Sequence, residues 1–139
     1  MLFDKNLEQV VLIEKQKPEH HKGLWNGVGG KIEADETSLQ CMVREFKEEA
    51  GYYFDRWKPF CKLTDGINFE IDFYWGIGDV DKCYTAENQA VMPFNISILE
   101  NIMTVCNIPW LVQMALSHIK GTDWGTYLIY ENTETGTFK

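Results

Sequence analysis

The segment from Gly30 to Tyr52, GKIEADETSLQCMVREFKEEAGY, constrains this chain more than any other stretch. Thr37 and Gln40 stand at capping-box spacing for a helix start, and Gly51 stands where a helix stops on a left-handed glycine. On a wheel of about 100° per residue, Leu39, Met42, Val43, Phe46 and Ala50 share one apolar arc. Glu45, Glu48 and Glu49 share the adjoining arc. Each like-charge pair at this spacing costs about 0.2–0.5 kcal/mol, and only Arg44 and Lys47 lie near to offset it. A solvated helix face is one explanation of such a row. The other is a hard divalent cation, which takes oxygen ligands. The flanks favour the cation, because Gly29-Gly30 lets backbone approach a ligand closely.

Gly30, Glu36, Arg44, Glu45, Phe46, Glu48, Glu49 and Gly51 fall in the register G-x5-E-x7-R-E-U-x-E-E-x-G-U, where U is bulky and aliphatic. The segment therefore resembles the Nudix box. Phe46 and Tyr52 are aromatic at U positions, which predicts larger core neighbours rather than different chemistry. The preceding string Trp25-Asn26-Gly27-Val28-Gly29-Gly30-Lys31-Ile32-Glu33 is similar to that of MutT-type members. The resemblance implies an α/β fold, a Nudix-type α/β/α sandwich with a mixed β-sheet. It implies hydrolysis of a diphosphate bond in a nucleoside diphosphate derivative. It also implies Mg²⁺, with Mn²⁺ as a substitute, held by Glu45, Glu48, Glu49 and backbone at Gly30, with Lys31 on phosphate. Arg44 is expected to orient a carboxylate by a forked hydrogen bond, Glu36 to be structural, and Gly51 to end the helix. MutT-like enzymes often carry one more glutamate near the metals, just before a late strand. Glu87 is the nearest candidate, with Asn88 and Gln89 as alternatives. The general base stays open between the helix glutamates and Glu87.

A chain of 139 residues, 45% hydrophobic, suits one domain spanning residues 1–139. The formal charge of −8 argues against a nucleic-acid partner. A small anionic nucleotide remains compatible, since bound metal inverts the local sign. Cys41, Cys61, Cys83 and Cys106 show no CxxC or zinc spacing, and are expected to be reduced, buried thiols of a cytoplasmic protein. Nothing resembles a secretory signal or a membrane span. Oligomeric state is not legible.

Residues 7–15 read as a strand buried on both faces through Val10–Ile13, followed by a polar loop in which His20 and His21 are solvated. A short strand is expected at Lys31-Ile32-Glu33. Residues 56–65 and 68–79 read as an antiparallel hairpin about Asp65-Gly66, with Phe69, Ile71, Phe73 and Trp75 on one side and Glu70, Asp72 and Tyr74 on the other. Ala90 to Phe94 reads as a short strand that Pro93 assigns to an edge or strand end. Asn107 and Pro109 open a helix to about Lys120. A strand is expected between Trp124 and Glu131, and a loose tail after it.

Substrate identity turns on two asparagines. Asn107 reads as a helix N-cap; by resemblance to MutT-type enzymes that place an asparagine before an x-Pro helix start, it is also expected to contact the purine edge, which suits an amide that both donates and accepts. Asn26 is the second candidate, by similarity to the W-N-G-x-G-G string of an 8-oxo-purine triphosphatase of the family. The resemblance favours a (deoxy)nucleoside triphosphate, cleaved to monophosphate and pyrophosphate, and an oxidised purine such as 8-oxo-dGTP. Alternatives are an ADP-ribose or nucleotide-sugar pyrophosphatase, and a non-catalytic nucleotide sensor. The last is disfavoured because every box glutamate is present.

Overall fold

The computed structural model describes residues 1–121, 125–132 and 137–138. Strands β1 (Leu2–Phe3), β2 (Gln9–Glu14), β3 (Trp25–Asn26), β4 (Lys58–Thr64), β5 (Glu70–Ile77), β6 (Val91–Asn95), β7 (Tyr127–Asn132) and β8 (Thr137–Phe138) form one mixed sheet in the order β3-β2-β1-β5-β4-β7-β8, with β6 on β2. Helices α1 (Ser38–Ala50) and α2 (Ile108–Ile119) cover its two faces. The strand β2 shows why. Val10 and Leu12 pack with Leu111, Val112 and Ala115 of α2, while Val11 and Ile13 pack with Met42, Phe46 and Ala50 of α1. This is the α/β/α sandwich expected.

The helix α1 starts and stops as its sequence dictates. The Thr37 hydroxyl accepts from the Gln40 amide, and the Gln40 side chain accepts from the Thr37 amide. Gly51 adopts φ 69°, which a side chain would resist, and its amide donates to the Lys47 carbonyl. Phe46 is buried edge-on against Trp57, at 5.0 Å between ring centroids. Burying such a ring stabilises by about 1.5–3 kcal/mol. Leu39 departs from the expected apolar arc: it is 41% exposed, and Cys41 takes its place in the core.

Other departures have local causes. Lys31-Ile32-Glu33 is not a strand, because its polar groups bond to α1 and its own loop: Arg44 Nη2 donates to the Lys31 carbonyl, and the Glu33 amide donates to Glu36. Trp25–Asn26 pairs with β2 instead. The β4–β5 hairpin is antiparallel as expected, but its turn runs through Phe69, with Thr64 opposite Glu70, because Asp65 Oδ1 accepts from the Ile67, Asn68 and Phe69 amides. Tyr74 lies on the polar side of β5 and is nonetheless buried beneath α1. Pro93 lies on β6, which pairs only with β2 among the described residues. Thr137 and Phe138, expected to be loose, pair with β7. Trp124 lies outside the described residues. All four cysteines are free; Cys41 and Cys61 are buried, whereas Cys106 is exposed, contrary to expectation. His20 and His21 sit in a short 3-10 turn, Glu19–His21, that buries no side chain.

The strand β1 is only two residues long. It pairs with β5 at Gly76 and Ile77 and with β2 at Val10. Below Gly76 no described strand pairs with that edge of β5, and a cleft opens there.

Candidate active site

The site is built around Arg44. Its Nε and Nη2 form a fork on Glu36, at 2.6 and 3.0 Å. Its Nη1 reaches Glu45 Oε1 at 2.8 Å and Glu48 Oε2 at 3.2 Å. One guanidinium thus joins the loop after Gly30 to two of the three helix carboxylates. The forked partner is Glu36, while Glu45 and Glu48 take single bonds from Nη1. Hydrogen bonds from Arg44 and the Glu33 amide hold the Glu36 carboxyl down to about 2. Burial, followed by the Glu36 charge, pushes the Cys41 thiol up to about 11, so it is no nucleophile at neutral pH.

Glu49 is placed differently. Its Oε2 is buried with no hydrogen-bond partner. Burial, then the charge of Glu45 and, more weakly, of Glu87, push its carboxyl up to about 7, against the opposing Lys15 charge and Gly29 amide. The loop carrying Glu87 is fastened to the end of α1, the Tyr84 amide donating to the Ala50 carbonyl and the Ala86 amide to that of Glu49. That fastening brings the Glu87 charge within range of Glu49.

Gly30 lies directly against Glu45. A Cβ at Gly30 would collide with the Glu45 carboxylate. A glycine cradle, an orphaned buried carboxylate oxygen and crowded anionic oxygens fit a hard divalent cation. Among the described residues no three acidic, histidine or cysteine side chains already stand in coordinating positions. Glu45 and Glu48 are both held by Arg44 Nη1.

The cleft holds about 840 Å³. Residues 26–32 wall it on one side, residues 68–74 on the other, and Val105, Cys106 and Asn107 complete it. Backbone pairing sets this up: Trp25 donates to the Met103 carbonyl and Val105 donates to that of Trp25, bringing the start of α2 beside β3. Asn107 makes no capping bond. Its backbone is already helical, at φ −86° and ψ −11°, and its Oδ1 is buried without a partner. Asn26 uses its Oδ1 on the Gly27 amide at 2.8 Å. Lys31 and Lys15 line the same cleft. The carboxylates adjoin it through Gly29 and Gly30, which Glu49 and Glu45 touch.

The NUDIX domain family model matches residues 1–74. The chain belongs to the NUDIX domain family. The fold agrees. A MutT structure, from the pair Aliivibrio salmonicida and Vibrio cholerae, superposes with a TM-score of 0.70 at 26% identity, covering 84% of this chain and 92% of that one. The NUDIX domain of Shewanella oneidensis NrtR, solved with ADP ribose, superposes at 0.72 with 17% identity, covering 85% and 83%, a likeness of fold. The mRNA-decapping enzyme subunit 2 of Saccharomyces cerevisiae is 29% identical over 83 residues, which are 57% of this chain and 8% of that protein. The CTP pyrophosphohydrolase of Escherichia coli is 40% identical over 43 residues, 31% and 32% of the two chains. This NUDIX domain thus spans under two thirds of both curated relatives.

In this NUDIX domain the structure gathers Gly30, Glu36, Arg44, Glu45 and Glu48 into one bonded cluster, with Glu49 and Glu87 beside it. Asn26, Lys31 and Asn107 share the cleft. Sequence reasoning missed Gly29 as a partner of Glu49, and missed Ser38 and Asp72 as cleft residues. The double glycine signalled the first. Only the hairpin register could have signalled Asp72, and nothing local signalled Ser38.

Proposed function

We propose that this chain is a Nudix hydrolase that, with Mg²⁺, hydrolyses a (deoxy)nucleoside triphosphate to the monophosphate and pyrophosphate, with an oxidised purine such as 8-oxo-dGTP as its substrate. The observation that carries the substrate choice is Asn107 Oδ1, buried in the cleft wall with no donor. A buried acceptor calls for an N–H on the ligand, since leaving it unpaired costs about 1–3 kcal/mol. An 8-oxo-purine carries a hydrogen on N7, where an ordinary purine has only a lone pair. Asn26 lines the same cleft. The CTP pyrophosphohydrolase likeness supports triphosphate chemistry without deciding the base.

Glu45, Glu48, Glu49, the backbone at Gly30 and Glu87 would hold the cation, which when bound neutralises phosphate oxygens and acidifies a water. Lys31, which lines the cleft, would meet the phosphates with its ammonium. One of the helix glutamates or Glu87 would take a proton from the attacking water. Arg44 keeps Glu45 and Glu48 oriented, and Glu36 keeps Arg44 in place. A substrate panel with Mg²⁺, scoring pyrophosphate against orthophosphate, tests this. It should contain 8-oxo-dGTP, dGTP, CTP, ADP-ribose and a nucleotide sugar. Release of pyrophosphate from 8-oxo-dGTP at the highest kcat/KM is expected, with Asn107→Ala raising KM for purine more than for pyrimidine triphosphates. Preference for ADP-ribose or a sugar nucleotide, or turnover of none, would overturn it. No described helix is long and apolar enough to cross a membrane.

A further inference from the structure

We infer that Ser38, together with Asp72, Tyr74 and Lys62, forms a positioning cluster that sets how the first turn of α1 stands against the cleft strand β5. The Tyr74 hydroxyl donates to Ser38 Oγ at 2.9 Å. Ser38 also stands close enough to Asp72 to help hold its carboxyl down. Asp72 Oδ1 lies 2.8 Å from Lys62 Nζ, and Lys62 also reaches Glu70 Oε2 at 3.5 Å. The order of donation is determined chemically. Burial works to raise the Asp72 carboxyl, yet hydrogen bonds from Lys62 and Ser38 outweigh it and hold it below its ordinary range. Ionised Asp72 only accepts, so the Ser38 hydroxyl donates to it, leaving its oxygen free to accept from Tyr74.

Three elements meet at this chain of bonds. Lys62 and Asp72 face each other in the β4–β5 register, and Ser38 opens α1. Apolar packing of the first turn itself is slight, for Leu39 and Gln40 are exposed and the first buried residue of α1 is Cys41, although the Tyr74 ring packs under α1 further along. The consequence reaches the carboxylates. Ser38 follows the Thr37 cap, the cap follows Glu36, and Glu36 is forked onto Arg44. The same loop begins at Gly30, which has no spare room beside Glu45. A shift of the first turn therefore changes the spacing of Gly30 and Glu45, although Ser38 touches neither.

The kinetic arm of the test rests on the proposed hydrolase activity; the binding arm does not. Ser38→Ala should lower kcat by about tenfold while changing nucleotide KM less than about twofold, as expected for misplacement by a fraction of an ångström. In calorimetric titration with Mg²⁺ alone it should weaken binding by about threefold. Ser38→Thr keeps the hydroxyl and should restore both. Asp72→Asn combined with Ser38→Ala should be no worse than the more damaging single change, because both break one chain of bonds. Circular dichroism would verify folding in each case. Wild-type kcat and Mg²⁺ affinity in Ser38→Ala, with only a lower Tm, would overturn the inference, as would additive losses in the double variant. In a protein that turned over no nucleotide, the hydrolase function would fall, and the Mg²⁺ isotherms would decide the positioning role by the same outcomes.

Discussion

Replacing Glu49 by Gln should remove a pH dependence of stability that the metal-free protein carries. Glu49 ordinarily titrates at 4.5, and in the fold burial, followed by the Glu45 charge, pushes it up to about 7. The sign follows from linkage. Below pH 4.5 both native and unfolded chains hold the proton, and Glu49 contributes nothing. Between 4.5 and 7 the unfolded chain releases its proton while the native chain keeps it, so stability falls as pH rises. Above 7 the loss is complete and constant. Unscreened, the span from 4.5 to about 7 is worth about 3.4 kcal/mol. The carboxyl is only half-buried, and solvent screening reduces this to about 1–2 kcal/mol. The assay is urea unfolding of wild type and Glu49→Gln in chelator, from pH 5 to pH 8. The Gln side chain mimics the protonated acid throughout. His21, whose imidazole burial holds below its ordinary value, acts oppositely in this window but equally in both proteins. The stability difference, variant minus wild type, should therefore grow by about 1–2 kcal/mol across the range. Saturating Mg²⁺, which favours the ionised form, should shrink that growth. Parallel stability curves in chelator would refute the placement of Glu49 as a buried, crowded carboxylate.

Two further outcomes follow from the same geometry. Glu48 is half-exposed and takes one bond from Arg44, so Glu48→Gln should change stability by no more than about 0.5 kcal/mol while abolishing Mg²⁺-dependent hydrolysis; unchanged turnover would remove it from the metal site. Gly30→Ala drives a methyl into the Glu45 carboxylate and should lower stability by about 1–3 kcal/mol, with loss of Mg²⁺ affinity by titration; wild-type behaviour in both would mean that the loop gives way freely.

The helix α1 was legible to the residue at both ends because its signals are local: a cap, a capping partner and a glycine stop lie within its own segment. The strand β2 was legible because four consecutive buried residues admit burial on both faces. Lys31–Glu33 was misread for a reason no strand propensity contains. Its carbonyl and amide are taken by Arg44 and Glu36, whose side chains arrive from 13 and 3 residues away. Asn107 shows a similar limit. Its position before Ile108 and Pro109 suits a cap, and only the fold reveals that its backbone is already helical and its oxygen faces no donor. The cluster at Ser38 depends on pairing Lys62 with Asp72 across a hairpin, which becomes visible once the register is known.

Arg44 also makes the segment before it a ruler of fixed length. Its guanidinium holds Lys31, Glu36, Glu45 and Glu48 at once. One inserted or deleted residue within α1, between Arg44 and its start, would turn the carboxylates by about 100° relative to that loop, and no side-chain adjustment could bring all four partners back. Insertions and deletions between Ser38 and Arg44 should therefore be tolerated far less than single substitutions there. The polar turn at Asp65–Phe69 lies outside that constraint. Over evolutionary time the cleft can change in contour there while the spacing of the carboxylates stays the same, so variation in length, rather than in residue identity, separates the parts of this chain that can be retuned from the part that cannot.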